Sequence, residues 1–478
     1  MLRNITRRIR VGHAPAVRTA TAMTFGLLVL AGCSNIVDPL LEADDPDIIS
    51  PDNIDSPDGA DALYRGALDR LSGATGGGEN TWLYGGLLAD EFGTSSTFVQ
   101  NDEVDIRRVQ TSNSRVTSMY RDINRVRTSA DQAIAALQKW RPDSREMIAE
   151  MYFARAFAEA QLAQDFCSAI PLSNGSGEEI LPTGPLSTQE VFDHAVASYD
   201  SALALVAGSS SGAGLRVARA ASIGKARALL GNGHVAEAAL AVRDIPTDYS
   251  YDVTFSLSSS DNIVWSQIPS QRRYLVGDSV EGNARDIIVK NNLPFFSAQD
   301  PRVPASYTFS ASGADTIKSQ DGSTLSRTTT LFDRFTPIAI VNGLDARLVE
   351  AEAALKSGDP NGMLAILNAL RAAPPVVGQL SLTSDQLPPL TLPATPDAQL
   401  DLLFREKAFW TYSRGQRLGD MRRLIRQYGR TADNTFPVGP HYRGGEYGTD
   451  VNLPVPQQEE TNPEFGPAGR LACLQDQA

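Results

Sequence analysis

Residues 146–172 read EMIAEMYFARAFAEAQLAQDFCSAIPL, and how this stretch is read decides the fold. Residues 144–166 contain neither proline nor glycine and are rich in Ala, Glu, Met and Leu, all strong helix formers. Small alanines between 149 and 163 let a neighbouring helix approach closely. Upstream, NSRVTSMYRDINRVRTSADQAIAALQK (113–139) reads as a second long helix, and Trp140-Arg141-Pro142-Asp143 makes a short stop between the two. So brief a connection predicts an antiparallel pair.

The same texture extends outward. PDGADALYRGALDRL (57–71) places Ala60, Leu63, Ala67, Leu68 and Leu71 on one side of a helix opened by acids at its positive end. Further helices are predicted at 188–206, 216–230, 234–243, 344–357, 360–372 and 397–428. Helix, glycine-containing turn, helix recurs in ARALLGNGHVAEAALAV (226–242) and EAEAALKSGDPNGMLAILNALR (350–371). These pairs look like degenerate tetratricopeptide units, which bury a face only by stacking on neighbours; an irregular bundle is the other reading of the same periodicity. The expected fold is mostly α, a scaffold of tetratricopeptide-like repeats carrying long irregular loops and short strands. Between about 250 and 340 the chain turns to Ser, Thr, Gly and aromatics, the composition of loops and short strands. A second loop, 374–399, holds six prolines. Long loops on a rigid scaffold are where binding surfaces usually lie.

The first 33 residues read as an address. An arginine-rich start leads into TAMTFGLLVLAGC, an apolar run too short to span a bilayer. Leu30-Ala31-Gly32-Cys33 resembles the bacterial lipoprotein lipobox: small residues enter a signal peptidase in extended form, and the new terminal thiol is then diacylated. The expected organisation is a signal peptide over 1–32, a lipidated Asp/Pro-rich leader over 33–56 and one large domain over 57–478, held to a membrane by lipid alone. The formal charge is −13, and removing the five arginines ahead of Cys33 makes it −18. That excess argues against nucleic acid, whose phosphates are bound largely by neutralising them.

Beyond Cys33 only Cys167 and Cys473 remain. In an oxidising compartment two readings stand: a bridge pinning the C-terminal tail, or two unrelated buried thiols. His194, His234 and His441 are far apart, outside any paired-ligand spacing, so no histidine metal site is expected. QRLGDMRRLIRQYGR (416–430) packs five arginines into fifteen residues. At 100° per residue Leu418, Met421, Leu424, Ile425 and Tyr428 share one arc, which predicts a buried stripe with Arg422, Arg423, Arg426 and Arg430 in solvent. Arg417 falls inside the apolar arc, and Asp420, one turn on, is its expected partner.

Several stretches together resemble the SusD/RagB-like outer-membrane lipoproteins. Ala149-Glu150, Phe153-Ala154-Arg155-Ala156, Leu162 to Phe166 and Ile170-Pro171-Leu172 follow one family pattern; RLVEAEAALKSGD…LNALR (347–371) follows another. REKAFWTYSRGQRLGDMRRL (405–424) is similar to the family's C-terminal helix, with Arg405-Glu406, Gly415, Arg417 and Asp420-Met421-x-Arg423 in order. Two departures stand out: Arg414 where an acid is usual, and Gly419 before Asp420. The resemblance implies a lipid-anchored outer-membrane protein, a lid over a SusC-like TonB-dependent β-barrel transporter, capturing glycans, or in some relatives peptides, without chemistry and without a cofactor. The acidic export signal after the cysteine is only loosely matched, by Asp38 and 42–47, so the domain faces either the medium or the periplasm.

The resemblance carries over no ligand residue. Aromatic faces that stack on pyranose rings are therefore sought in the loops: Trp82, Tyr84, Trp265, Tyr274 and Tyr307, although an isolated loop aromatic is more often an anchor packing its loop onto the scaffold. Trp140, Trp410 and Phe295-Phe296 read as packing. A hydrolase would need a fixed carboxylate pair, for which Asp90-Glu91, Glu178-Glu179 and Asp300 supply candidates. No G-x-S-x-G, P-loop or Cys–His arrangement is present. A scaffold that holds other envelope proteins on its repeats is the third class.

Overall fold

Ser56 opens the first helix: its hydroxyl accepts the Gly59 N–H at 3.0 Å, and Pro57 behind it has no N–H to leave unsatisfied. That helix, α1 (Pro57–Gly73), belongs to a computed structural model describing residues 55–173, 182–283 and 286–478. The signal peptide, Cys33, the leader up to residue 54 and Glu178-Glu179 lie outside the described residues. In chain order there follow α2 (Thr81–Leu88), β1 (Phe92–Thr94), α3 (Val99–Asp105), α4 (Ser114–Trp140), α5 (Arg145–Asp165), β2 (Ile170–Pro171), β3 (Pro185–Leu186), α6 (Thr188–Leu205), α7 (Gly212–Gly231) and α8 (Val235–Val242). The loop-rich part holds β4 (Ser250–Val253), α9 (Ile263–Trp265), β5 (Tyr274–Val276), β6 (Val280–Glu281), β7 (Ile287–Ile288), β8 (Ala305–Tyr307), β9 (Arg327–Thr329) and β10 (Ile338–Asn342). Four longer helices, α10 (Gly343–Lys356), α11 (Pro360–Ala372), α12 (Pro396–Trp410) and α13 (Arg417–Tyr428), precede the short α14 (Gly466–Ala472).

The helices stack in sequence order: α1 on α4, α4 on α5, α5 on α6, α6 on α7, then α8 and α10 on α7, and α11 on α10. This is the repeat-on-repeat packing that alanine-rich pairs predict. At its centre α5 is buried nearly all round, Ala149, Ala154, Ala156 and Ala163 being fully enclosed. The strands form five separate antiparallel pairs, β1 with β5, β4 with β10, β2 with β3, β6 with β7 and β8 with β9. No helix among the described residues is long and apolar enough to cross a membrane.

Two expectations are corrected here. Residues 397–428 are two helices, because Thr411 ends α12 and Ser413 and Gly415 take φ values of +59° and +63°. A Cβ on Gly415 would lie 2.1 Å from the Trp82 ring, so both the backbone and the close approach require glycine there. Arg417 and Asp420 share the first turn of α13 yet do not pair, because each meets a nearer partner from elsewhere in the chain. Arg417 instead grips Asp90 bidentately, at 2.7 and 2.8 Å, while Asp420 meets Lys407 at 2.8 Å and Arg423 at 3.0 Å.

The second correction concerns Arg422 and Arg423, which are buried rather than solvated. Arg422 donates to the carbonyls of Ala163 and Gln164 at the end of α5; Arg423 donates to Leu230 near the end of α7 at 3.0 Å, and Gln427 to Leu230 at 2.8 Å. The last carbonyls of a helix lack intrahelical donors and carry its negative pole, so α13 caps two helices with cations. Gly419 permits this: a Cβ there would sit 2.3 Å from Gln164 of α5. Arg430 lies half-buried, 2.8 Å from Asp401. Arg414, the departure from the family pattern, meets Asp345 at 2.8 and 2.9 Å.

Cys167 and Cys473 are bonded to each other, their Cα atoms 5.1 Å apart. The tail is also held by backbone, the Val451 N–H donating to Gln475 at 2.7 Å.

Candidate functional site

Three of the five loop aromatics are core. Trp82 and Tyr84 sit on α2, a helix that the sequence reads as loop, because Asn80 caps it by accepting from the Trp82 N–H at 2.8 Å. Trp82 is 1 % exposed and Tyr84 wholly buried, its hydroxyl donating to Asn101 at 2.5 Å. Tyr274 of β5 is equally enclosed and donates to Glu79 at 2.8 Å. In the two tyrosines a polar tip that finds an internal partner makes an anchor, not a stacking platform; Trp82 is removed from ligand by burial alone.

Trp265 and Tyr307 remain at the surface, both half-buried. Trp265 ends α9, and the Arg334 guanidinium lies 5.7 Å from its ring centroid. Tyr307 ends β8 and packs edge-on against Phe296, centroids 4.9 Å apart, with Arg327 5.4 Å from the same Phe296 ring. Its hydroxyl has no hydrogen bond among the described residues.

Around Tyr307 the β6–β7 and β8–β9 hairpins enclose a cleft of about 340 Å³. Tyr307 and Phe296 supply its aromatic side, Asn283, Asp286 and Ser297 its exposed polar rim. Asn283 joins the hairpins, donating to the Ser323 carbonyl at 3.0 Å and accepting the Leu325 N–H at 2.7 Å. Its φ of +56° beside Gly282 at +93° is a turn that asparagine and glycine tolerate. Beneath the rim, Arg327 meets Glu281 at 2.5 Å, and Glu281 also accepts the Asp278 N–H at 3.2 Å. Burial lifts the Glu281 carboxyl to about 7 although Arg327 opposes the shift. The cleft does not include Trp265.

A larger cleft, about 510 Å³, lies between the β4–β10 ribbon and residues 373–378. Its walls mix aliphatic Pro374, Pro375, Val376 and Ile338 with polar Asp248, Ser250 and Asp252, and its aromatics Tyr249, Phe332 and Trp410 are almost wholly buried. It offers volume without a stacking face, so the smaller cleft is the better candidate for a sugar.

The carboxylate candidates for hydrolysis are spoken for. Asp90 is locked to Arg417. Glu91 is fully buried, and burial raises its carboxyl to about 8. Asp300 pairs with Arg302 at 2.7 Å, and Arg302 in turn with Glu406 at 2.8 Å. None of the three faces an open cleft with a second free acid. Asn283 and Asp286 were missed from sequence, and Phe296 was read as packing; the Gly-Asn turn at 282–283 was the available signal.

No protein-family model matches the chain, and no curated protein sequence does. Solved structures do. A SusD-like carbohydrate binding protein from Bacteroides fragilis superposes with a TM-score of 0.60 at 14 % identity, over 85 % of this chain and 98 % of that one. This chain has the SusD-like fold. A SusD/RagB family protein from Bacteroides thetaiotaomicron gives 0.59 at 11 % identity, over 87 % and 96 %. A laminarin binding SusD-like protein gives 0.56 at 16 % identity, over 85 % and 98 %. Agreement at such low identity means that the stacked helices and their order are shared while most side chains differ.

Proposed function

We propose that this chain is a member of the SusD/RagB-like family, a non-catalytic protein that binds oligosaccharide in the Tyr307 cleft. The carrying observation is the half-buried Tyr307 ring, its hydroxyl without a protein partner among the described residues, set beside Phe296 above a rim of amide, acid and hydroxyl side chains. Pyranose recognition asks for that combination: an apolar ring face for C–H surfaces and polar groups for hydroxyls. Structures of the same fold described as carbohydrate binding or laminarin binding support the ligand class. The lipobox at Cys33, the outer-membrane location and hand-over to a SusC-like TonB-dependent barrel belong to the same proposal and rest on the sequence resemblance.

Calorimetric titration against a panel of laminari-, malto- and xylo-oligosaccharides tests the site. Tyr307→Ala is expected to weaken oligosaccharide binding roughly 5- to 150-fold, since a stacked ring contributes on the order of 1–3 kcal/mol. Equal affinity for wild type and Tyr307→Ala overturns the site. Absence of binding across the panel, with peptides bound instead, overturns the ligand class. Gentle detergent extraction that recovers the protein without a barrel partner counts against the hand-over.

A further inference from the structure

Where α5, α6, α7 and α13 meet lies a partly open polar cavity of about 40 Å³, separate from the Tyr307 cleft. Four cations line it, Arg227, Lys407, Arg423 and Arg426, against two carboxylates, Asp345 and Asp420. Two of the cations are balanced. Lys407 lies 2.8 Å from both Glu352 and Asp420, and Arg423 reaches the same two acids. Asp345 is held bidentately by Arg414.

Arg227 and Arg426 are left over. Neither has an ion pair among the described residues. Arg227 donates one hydrogen bond, at 3.2 Å to the Ile340 carbonyl. Arg426 donates one long bond, at 3.4 Å to the Gly231 carbonyl, and its buried Nε has no acceptor. Ala478 borders an adjoining cleft that also contains Arg426, yet forms no ion pair with it among the described residues. The negative pole of α7 supplies roughly half a charge, which two guanidinium groups exceed. Burial accordingly holds both side chains below the usual arginine range, Arg426 at about 10. Both guanidinium groups are half-buried and neither meets a carboxylate among the described residues, so this junction carries an excess of positive charge.

We propose that a chloride ion occupies this cavity between Arg227 and Arg426. A water molecule's share of liquid volume is about 30 Å³, so the space matches one small ion. The ion would join α7 of the repeat stack to α13 and complete the capping already provided by Arg422, Arg423 and Gln427.

The test is thermal unfolding of the purified protein in sodium chloride against sodium gluconate at constant ionic strength. Once the site is mostly filled, the midpoint is expected to rise by about 1.5 °C per tenfold increase in chloride, and bromide acts likewise. Arg227→Gln deletes a charge that has no partner, so in gluconate it melts no lower than wild type and it loses the chloride response. A bromide-soaked crystal is expected to show an anomalous peak in the cavity, which also decides the matter if the variant does not fold. A midpoint that follows ionic strength alone, a chloride response that survives in Arg227→Gln, or an ordered water where bromide should scatter overturns the proposal.

Discussion

Acidic side chains do opposite things in the helical stack and in the loop-rich part between residues 250 and 340. In the stack, a single buried carboxylate gathers partners from far along the chain. Glu150 accepts from Tyr64 at 2.5 Å and from Tyr251 and Arg216 at 2.7 Å, tying α1, α5, α7 and β4. Glu406 of α12 accepts from Arg302 at 2.8 Å and from Arg371 at 2.6 Å, and Glu352 of α10 from Lys407 at 2.8 Å. In the loops most polar groups serve nearby turns. Asp321 accepts from the Ser323 and Thr324 N–H groups at 2.9 and 2.8 Å, and Asp278 from the Ser297 hydroxyl at 2.7 Å. A shared buried charge couples several helices, so removing it costs the whole domain; a turn-capping acid shapes only its own loop. Substitutions in the stack should therefore cost stability, and substitutions on the loop rim should cost binding.

The largest effect should come from Asp90→Ala, which strands the Arg417 guanidinium in the core. Breaking a buried pair from one side costs about 3–5 kcal/mol, measurable by urea unfolding. Asp90→Ala combined with Arg417→Met should recover most of that loss, because no unpaired charge remains. A single variant within about 0.5 kcal/mol of wild type, the spread of ordinary surface substitutions, would erase the contrast between the two regions.

Next in size is the Cys167–Cys473 bond, which joins residues 306 apart. Replacing both with serine should cost about 2–4 kcal/mol while leaving oligosaccharide affinity unchanged, since the tail lies outside the Tyr307 cleft. Affinity lost in step with stability would show that the tail shapes the cleft.

A pH experiment sharpens the comparison. Glu91 titrates at about 8 when folded, against an ordinary value of 4.5, because burial disfavours its charge. A raised acid binds its proton more tightly in the folded state. Its contribution is thus complete below about pH 4.5 and is lost as pH rises through about 8, at up to about 1.4 kcal/mol per pKa unit. Asp165, raised to about 6, and Glu281, raised to about 7, slope the same way. The readout is therefore the difference between wild type and Glu91→Gln: it should widen in favour of the variant between pH 5 and 8. A flat difference would mean that Glu91 ionises without cost.

The stack was legible in the sequence because helix periodicity, short stops and alanine runs are local signals, and eight of the predicted stretches stand where expected within a few residues. What failed was the single helix expected across Tyr412-Ser413-Arg414-Gly415. A backbone break that depends on Trp82, more than three hundred residues earlier, leaves only a Ser and a Gly as warning. The partners of Arg417, Arg422 and Arg423 were hidden for the same reason: Asp90 and the ends of α5 and α7 are distant in sequence. For the cleft, loop aromatics were visible but their burial was not, because a lone Tyr in a loop looks alike whether its hydroxyl meets Glu79, as for Tyr274, or solvent, as for Tyr307.

Trp265 should give the smallest stability effect and the finest discrimination. The ring is half-buried and its main contact is the Arg334 guanidinium, itself paired with Asp261 at 2.7 Å. Losing one such exposed cation–π contact costs about 0.5–1 kcal/mol, so Trp265→Ala should melt within a few degrees of wild type. Because Trp265 lies outside the Tyr307 cleft, short oligosaccharides should bind the variant as they bind wild type. Longer chains provide the contrast. If affinity grows with chain length in wild type and stops growing in Trp265→Ala, the ligand runs from the cleft to the Trp265–Arg334 face and the site is a track. If length never matters, recognition ends at the rim formed by Asn283, Asp286 and Ser297, and Trp265 serves only to hold its loop.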